Sequence, residues 1–149
     1  MPLSLYLDSS VPSALLDPRS PERQAMTREF WGRVGEFDVF SSTVMTDEIN
    51  ETQDAVRRAE LLDLVKAIRL VPLTEQMREL ASRYVQLGVF SPGDVNDALH
   101  TAAAVAGGAD ILVSWNFRHL VNRRSRGLIN SIGMQVGYPS IEILSPPEI

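Results

Sequence analysis

Short apolar runs alternate with longer amphipathic segments along the chain, and this pattern predicts strands and helices in turn. The runs that we interpret as strands are Leu3–Leu7, Asp38–Ser42, Arg69–Pro72, Ile111–Ser114 and, as a fifth, Ile141–Leu144. The first run is apolar on both faces, which is typical of a central, buried strand. Strands that alternate with helices indicate a parallel sheet covered on both sides. The pattern therefore predicts an α/β protein.

The segments between these strands carry helix start and stop signals. After a first short helix with Pro12 in its first turn, the predicted helices are Glu22–Val34, Thr43–Ile49, Asp54–Ile68, Glu75–Leu87 and Asp94–Ala106. Gly35, Gly88 and Gly107-Gly108 are expected to end three of them. Thr74 and Asp94 are expected to cap the N-termini of the last two.

Length and composition fit one globular domain covering residues 1–149. The chain is 44% hydrophobic and shows no repeat, linker or low-complexity segment. A chain of this size buries about 68–70% of its unfolded surface, so a metal would serve function and not folding. It has no cysteine, which excludes disulfides, thiolate zinc sites and cysteine nucleophiles. The N-terminal residues lack the features of a signal peptide or membrane span, and we expect a cytoplasmic protein.

Charge is unevenly distributed. The net charge of −5 argues against a protein that coats nucleic acid without selectivity, yet residues 111–141 contain no acidic residue. Four arginines lie in that stretch: Arg118, Arg123, Arg124 and Arg126. They form either a solvated basic loop or a surface that binds RNA phosphates.

Oxygen-bearing side chains follow the predicted strands. Asp8 comes directly after the first strand, Glu48 shortly after the second, and Asn116 just after the fourth, while Asp97 lies near the start of a helix. Ligands of open parallel sheets bind outside the carboxyl ends of the strands, so these residues are expected to converge. The alternatives are a helix cap for Asp8 and a solvated acidic helix face for Glu48.

Asp97 has a helical context of its own. Val95, Leu99 and Ala102 are predicted to form an apolar face, with Asp97 projecting almost opposite, near Thr101 and the small Ala104. If Asp94 caps the helix, Asp97 is free to bind a ligand.

Clustered carboxylates predict a cation site. Mg²⁺ and Mn²⁺ prefer carboxylate oxygens, and Asp8, Glu48 and Asp97 would repel one another without a cation. Ser9 and Ser114 are predicted, from position alone, to donate hydrogen bonds that support the ligands.

Other chemistries find less support. The chain contains neither a phosphate-binding loop nor a dinucleotide fingerprint. Asp8-Ser9-Ser10 is similar to the nucleophile motif of haloacid-dehalogenase-type phosphatases, but the second aspartate of that motif is absent. His100 and His119 are the only histidines. Paired-histidine chemistry would require them to meet, and we expect a packing role for His100.

Four segments together resemble the PIN-domain ribonucleases, particularly the VapC-type toxins. They are the opening strand into Asp8-Ser9, SSTVMTDEI with Glu48, NDALHTAAAVAGGADILVSWNF with Asp97 and Asn116, and the closing IEILSPPEI. The resemblance implies a three-layer α/β/α sandwich with a central parallel sheet of four or five strands. It also implies that Asp8, Glu48 and Asp97 occupy the acidic metal positions. Many members carry a fourth aspartate at the position of Asn116, and the SWN wording resembles a sub-branch with the amide.

The resemblance implies a Mg²⁺- or Mn²⁺-dependent endoribonuclease, the toxin of a type II toxin–antitoxin pair. An antitoxin partner and a homodimer are implied in the same way. Asn116 would be a neutral member of the catalytic metal shell, or it would cap a short helix that begins at Phe117. The alternative function is a catalytically degenerate module that binds RNA or a protein without cleavage.

Overall fold

Five parallel strands form the centre of the protein. The computed structural model describes residues 1–149. The strands are β1 (Ser4–Leu7), β2 (Asp38–Ser42), β3 (Arg69–Val71), β4 (Ile111–Val113) and β5 (Glu142–Leu144). They pair in parallel in the order β3-β2-β1-β4-β5. The predicted parallel sheet is confirmed, with β1 at its centre.

Seven α-helices surround the sheet. They are α1 (Ser10–Leu15), α2 (Pro21–Trp31), α3 (Thr43–Asn50), α4 (Ala55–Val65), α5 (Glu75–Gln86), α6 (Val95–Ala106) and α7 (Arg123–Gln135). The sequence analysis did not predict α7. It also extended α2 too far, because the helix ends at Trp31 with Gly32 as its C-cap, and a 3-10 turn follows at Val34–Glu36. None of the helices combines the length and apolarity needed to cross a membrane.

Successive side chains along each strand point to opposite faces of the sheet, and two separate hydrophobic cores result. Leu5 and Leu7 of β1 pack in a cluster with side chains from α1 to α4. Tyr6, between them, points to the opposite face and packs in a larger cluster with α5, α6 and α7. Full burial of such a side chain contributes about 1.5–3 kcal/mol, so both helical layers are bound firmly to the sheet. The three-layer α/β/α sandwich is thereby confirmed.

Helix α6 is covered on more sides than we predicted. Val95, assigned to the apolar face, is 47% exposed, whereas Thr101 and Ala104, on the side of Asp97, are fully buried. The reason is that α6 packs against α5 and also against β2 and β4. The predicted single apolar face is therefore wrong. Asp97 instead lies in the first turn of a helix enclosed by the fold.

The helix-end predictions have mixed outcomes. Thr74 caps α5 by accepting a hydrogen bond from Met77 N at 3.2 Å, as predicted. Gly88 has φ +79°, which favours glycine and explains why α5 ends there. The prediction that Asp94 caps α6 is wrong. Its carboxylate accepts the Ser91 hydroxyl at 2.6 Å instead and makes no cap hydrogen bond.

Candidate active site

Asp8 is buried at the carboxyl end of β1. The residue is only 4% exposed. Oδ1 accepts hydrogen bonds from the Ser10 amide at 3.1 Å and the Ser10 hydroxyl at 2.5 Å, and Oδ2 accepts the Ser114 hydroxyl at 2.5 Å. Ser114 directly follows β4, the neighbour of β1 in the sheet. Strand pairing therefore brings these two residues together.

The charge of Asp8 has no basic partner. Burial raises the pKa of its carboxyl group, while the charge of His100 and the serine hydrogen bonds oppose that rise. No arginine or lysine forms an ion pair with Asp8, Glu48 or Asp97; where these acids have an ion-pair partner, it is a histidine. A buried carboxylate without a counter-ion is costly, which makes this position suited to a cation.

Glu48 lies on α3, which starts directly after β2. Its Oε1 accepts the Ser9 hydroxyl at 2.7 Å and lies 2.5 Å from Nε2 of His100. Burial alone would raise the pKa of Glu48, but hydrogen bonds from His100 and Ser9 and the charge of His100 lower it below its ordinary value. The Glu48 side chain is therefore held as a carboxylate in a fixed orientation.

His100 is a site residue that sequence reasoning missed. It is buried, and its Nδ1 lies 2.7 Å from the Tyr6 hydroxyl, which in turn lies 2.7 Å from Oγ of Ser42. Burial raises the pKa of Tyr6, so its hydroxyl keeps its proton. The expected packing role is therefore incomplete. The available signal was its spacing of three residues from Asp97, which places both on neighbouring turns of one helix.

Asp97 forms a second cluster with two other residues. Its Oδ2 lies 2.8 Å from Nδ1 of His119, and His119 Nε2 lies 3.9 Å from Oδ2 of Asp94. The ligand atoms of Asp94, Asp97 and His119 all lie within 4.8 Å of one another. Asp8 and Glu48 are not part of this group. The sequence analysis did not assign His119 to the metal site.

Asn116 joins the two parts of the site. Its Nδ2 donates to Asp97 at 3.3 Å, and its backbone N–H donates to the Ser114 hydroxyl at 2.9 Å. Its Oδ1 accepts the backbone N–H of His119 at 2.9 Å. Asn116 therefore caps the turn that follows it, where the structural alternative had predicted a short helix, and at the same time contacts Asp97.

The hydrogen bonds place Asp8, Asn116 and Asp97 in one network, whereas Glu48 belongs to a separate one with Ser9 and His100. Ser114 connects Asp8 with Asn116, which contacts Asp97, while Ser9 beside Asp8 donates to Glu48. A cavity of about 220 Å³ opens on this edge, lined by Ser9, Ser10, Ser13, Glu48, Ile49, Thr52 and Leu61. The catalytic and metal-binding roles of Asp8, Glu48, Asp97 and Asn116 stay predictions, as do the supporting roles of Ser9 and Ser114.

Comparison with known proteins identifies the family. The family model of the PIN domain matches residues 5–120, a stretch that contains all four predicted metal-site residues. The chain belongs to the PIN domain family. No curated protein matches its sequence significantly.

Solved structures have the same fold as this PIN domain. A chain of the VapBC2 structure from Rickettsia felis, bound to a DNA fragment from its promoter, aligns with a TM-score of 0.60 at 12% identity, over 96% of this chain and 98% of the other. VapBC-5 from Mycobacterium tuberculosis, a member of a family of toxin–antitoxin systems, aligns with a TM-score of 0.54 at 18% identity, over 97% and 99%. These similarities support the fold.

The four arginines predicted to bind RNA differ in their contacts. Arg124 donates to the carbonyl of Gly88 at 3.1 Å, and Arg126 donates to the carbonyl of Ile143 at 2.9 Å. Arg118 and Arg123 are exposed, and their guanidinium groups make no hydrogen bond or ion pair within the chain. A role in RNA binding stays a prediction for all four, and the geometry favours Arg118 and Arg123.

Proposed function

We propose that this PIN domain is a Mg²⁺- or Mn²⁺-dependent endoribonuclease and the toxin of a type II toxin–antitoxin pair. The observation that carries the proposal is a buried Asp8 carboxylate without a basic partner, connected by hydrogen bonds to Asn116 and Asp97. Membership of the PIN family and the fold shared with VapBC structures support it.

The donor set fits a hard divalent cation. Asp8, Glu48 and Asp97 offer carboxylate oxygens, the ligands that Mg²⁺ and Mn²⁺ prefer. Asn116 adds no charge, and its Oδ1 already accepts a hydrogen bond from the backbone N–H of His119. The three acids would therefore neutralise most of the charge of the cation. When bound, the cation would lower the pKa of a water molecule and neutralise charge on the phosphate that is cleaved.

The surrounding residues of the chain would orient the reaction. Ser9 and Ser114 donate to Glu48 and Asp8 and thereby fix their carboxylates. His100 holds Glu48 from the opposite helical layer. Arg118 and Arg123, whose guanidinium groups make no hydrogen bond or ion pair within the chain, would pair with backbone phosphates of the RNA and hold the strand across the site.

The partners follow from the same proposal. The similar structures are of VapBC proteins, one of them described as a toxin–antitoxin system. We propose that this protein likewise binds an antitoxin, that it forms a homodimer, and that it acts in the cytoplasm.

The test is cleavage of a mixed RNA pool in Mn²⁺ by the wild-type protein and by Asp97→Asn. Asparagine keeps the shape of the side chain but removes the ligand charge, so we expect activity to fall by roughly 100-fold or more. Asp63→Asn is the matched control, because Asp63 is exposed on α4 in a surface pair with Lys66. Equal cleavage by Asp97→Asn and wild type would contradict the proposal.

A second function is favoured by one observation. The side chain of Asn116 caps a turn, in a position where many PIN nucleases offer a further carboxylate. In a module that binds RNA or a protein without cleavage, Asn116 would need only such a structural role. In that case the wild-type protein would bind RNA but show no Mn²⁺-dependent cleavage, and Asp97→Asn would change neither property.

A further inference from the structure

Two aromatic rings flank Asn116 and form a rigid surface beside the acidic network. Trp115 is buried, and its indole N–H donates to Oγ1 of Thr27 on α2 at 2.9 Å. Phe117 is 46% exposed, and its ring meets that of Trp115 edge to face, with centroids 6.0 Å apart. An exposed aromatic ring is thus held in place by a buried one.

A guanidinium group lies over both rings. The Cζ atom of Arg23, on α2, is 4.7 Å from the Trp115 ring centroid and 5.7 Å from that of Phe117. Arg23 forms no ion pair with a carboxylate and no hydrogen bond from its side chain within the chain. Contact with the rings holds the cation in place, while its N–H donors stay available for an anion.

The position of this cluster connects it with Asp8. Arg23, Trp115 and Asn116 line a cavity of about 320 Å³ together with Ser10. The Ser10 hydroxyl donates to Asp8 and accepts the backbone N–H of Trp115 at 2.8 Å. A second hollow of about 660 Å³, on the side of Phe117, shares Arg23 and Trp115 as walls. A ligand in these hollows would lie next to the proposed cleavage site.

We propose that Phe117 and Arg23 form a nucleotide subsite for the RNA strand that is cleaved. The base of a nucleotide next to the scissile phosphate stacks on the exposed face of Phe117, and a flanking phosphate pairs with Arg23. Single-stranded RNA is recognised in this way, by aromatic stacking together with arginine contacts. The inference rests on the proposed function. The subsite is separate from the four arginines of residues 118–126, which were predicted to bind RNA phosphates.

RNA fits this surface better than an acidic peptide. Both ligands could pair with Arg23, but a flat, exposed ring supported at its edge offers a stacking face that a base uses fully. The ring also directly follows Asn116 in the chain, so a stacked base would be adjacent to the network that contains Asp97.

The test measures binding of two fluorescein-labelled 12-mers by anisotropy, in EDTA, so that binding does not depend on cleavage. One probe is a mixed-sequence oligoribonucleotide and the other is its abasic ribose-phosphate analogue. We expect Phe117→Leu to weaken binding of the first by about 5- to 100-fold and to leave the second unchanged. Phe117→Tyr keeps the ring face and should retain affinity. Arg23→Gln should weaken both probes.

Two matched controls separate the subsite from general effects. Arg28→Gln removes the same charge from an exposed position on the same helix. Phe37→Leu removes an aromatic ring that also has an arginine over it, with Cζ of Arg33 5.9 Å from the ring centroid. Both variants should bind like the wild type.

The outcomes distinguish this inference from the proposed function. Unchanged RNA affinity in Phe117→Leu, an equal loss on both probes, or no binding of either probe by the wild type overturns the subsite. If Phe117→Leu binds both probes like the wild type but no longer binds a protein partner, the cluster belongs to the interface with that partner. If the wild type binds with the expected base dependence but cuts no RNA in Mn²⁺, the nuclease proposal fails and the subsite stands.

Discussion

Nε2 of His100 lies 2.5 Å from Oε1 of Glu48, and the other ring nitrogen lies 2.7 Å from the hydroxyl of Tyr6. An ionised Glu48 accepts hydrogen bonds only, so Nε2 donates to it, while Nδ1 contacts the Tyr6 hydroxyl. This arrangement connects the central strand β1 with α6 and α3. The imidazole therefore fixes the carboxylate of Glu48 against a buried, rigid support.

Replacement of His100 by leucine should weaken metal binding and cleavage together. Glu48 would lose a hydrogen bond that orients its carboxylate, and partners of this kind typically change metal affinity or activity by about 10- to 100-fold. Mn²⁺ affinity measured by calorimetry without RNA, and cleavage of an RNA pool, are the two readouts. His100→Gln, which keeps an N–H donor, should lose less. A leucine variant that binds Mn²⁺ like the wild type would contradict this role.

Removing the hydroxyl group from each of the two buried tyrosines should affect the stability of the protein differently. Tyr6 hydrogen-bonds Ser42 and His100, so Tyr6→Phe leaves polar groups unpaired and should lower the free energy of unfolding by about 1–3 kcal/mol. The Tyr84 hydroxyl is buried without a partner, so Tyr84→Phe should be neutral or stabilising. Urea denaturation measures both. Equal losses in the two variants would show that the hydrogen bonds of Tyr6 contribute little.

The stability of the metal-free protein should depend on pH through Asp8. Burial raises the pKa of Asp8, so the folded state holds this proton more tightly than the unfolded chain. The resulting stabilisation is complete below the unfolded pKa, near pH ~4, and is lost as pH rises through the folded pKa. Glu48, with a lowered pKa, has the opposite effect and loses its contribution as pH falls through its folded value.

Comparison with Asp8→Asn isolates the contribution of Asp8. The free energy of unfolding of the wild type, relative to the variant, should decrease as pH rises above ~4. Urea denaturation at a series of pH values in EDTA measures this difference. Saturating Mn²⁺ should reverse the trend, because a cation binds only the ionised carboxylate. A difference that stays constant with pH would mean that Asp8 titrates like an exposed aspartate.

The arginines should separate into two groups. Replacement of both Arg118 and Arg123 by glutamine should weaken RNA binding. It should also reduce the magnitude of the slope of log Kobs against log salt concentration by about 1.4, because each phosphate contact with a single strand contributes about 0.7. Stability should not change. Arg126→Gln should mainly lower stability, since Arg126 holds the carbonyl of Ile143 and lies 3.8 Å from Glu148. Anisotropy titrations at several salt concentrations and thermal unfolding provide the measurements.

Much of the architecture could be predicted because it follows from local patterns. The apolar character of Leu5–Leu7 and the helix signals around Thr74 depend on residues close in sequence. The positions of Asp8 and Asn116 after their strands could be predicted for the same reason. Their convergence needed one further rule, that the carboxyl ends of parallel strands meet at one edge.

The errors come from contacts between residues distant in sequence. His100 meets Tyr6 and Glu48 across 94 and 52 positions, so spacing along its own helix could not show its hydrogen bonds. Asp94 satisfies the rule for an N-cap, but a 3-10 turn places its carboxylate on Ser91 instead. The subsite formed by Arg23 was also missed, because α2 and the segment after β4 become neighbours only in the folded chain.

The hydrogen bond from Ser114 to Asp8 joins residues 106 positions apart. Strand β4 must therefore settle beside β1 before the acidic network is complete. A growing polypeptide that has emerged from the ribosome only as far as α5 holds Asp8 and Glu48 but neither Asp97 nor the serine that anchors Asp8. The proposed cleavage centre therefore cannot assemble until the segment that contains Ser114 has been translated.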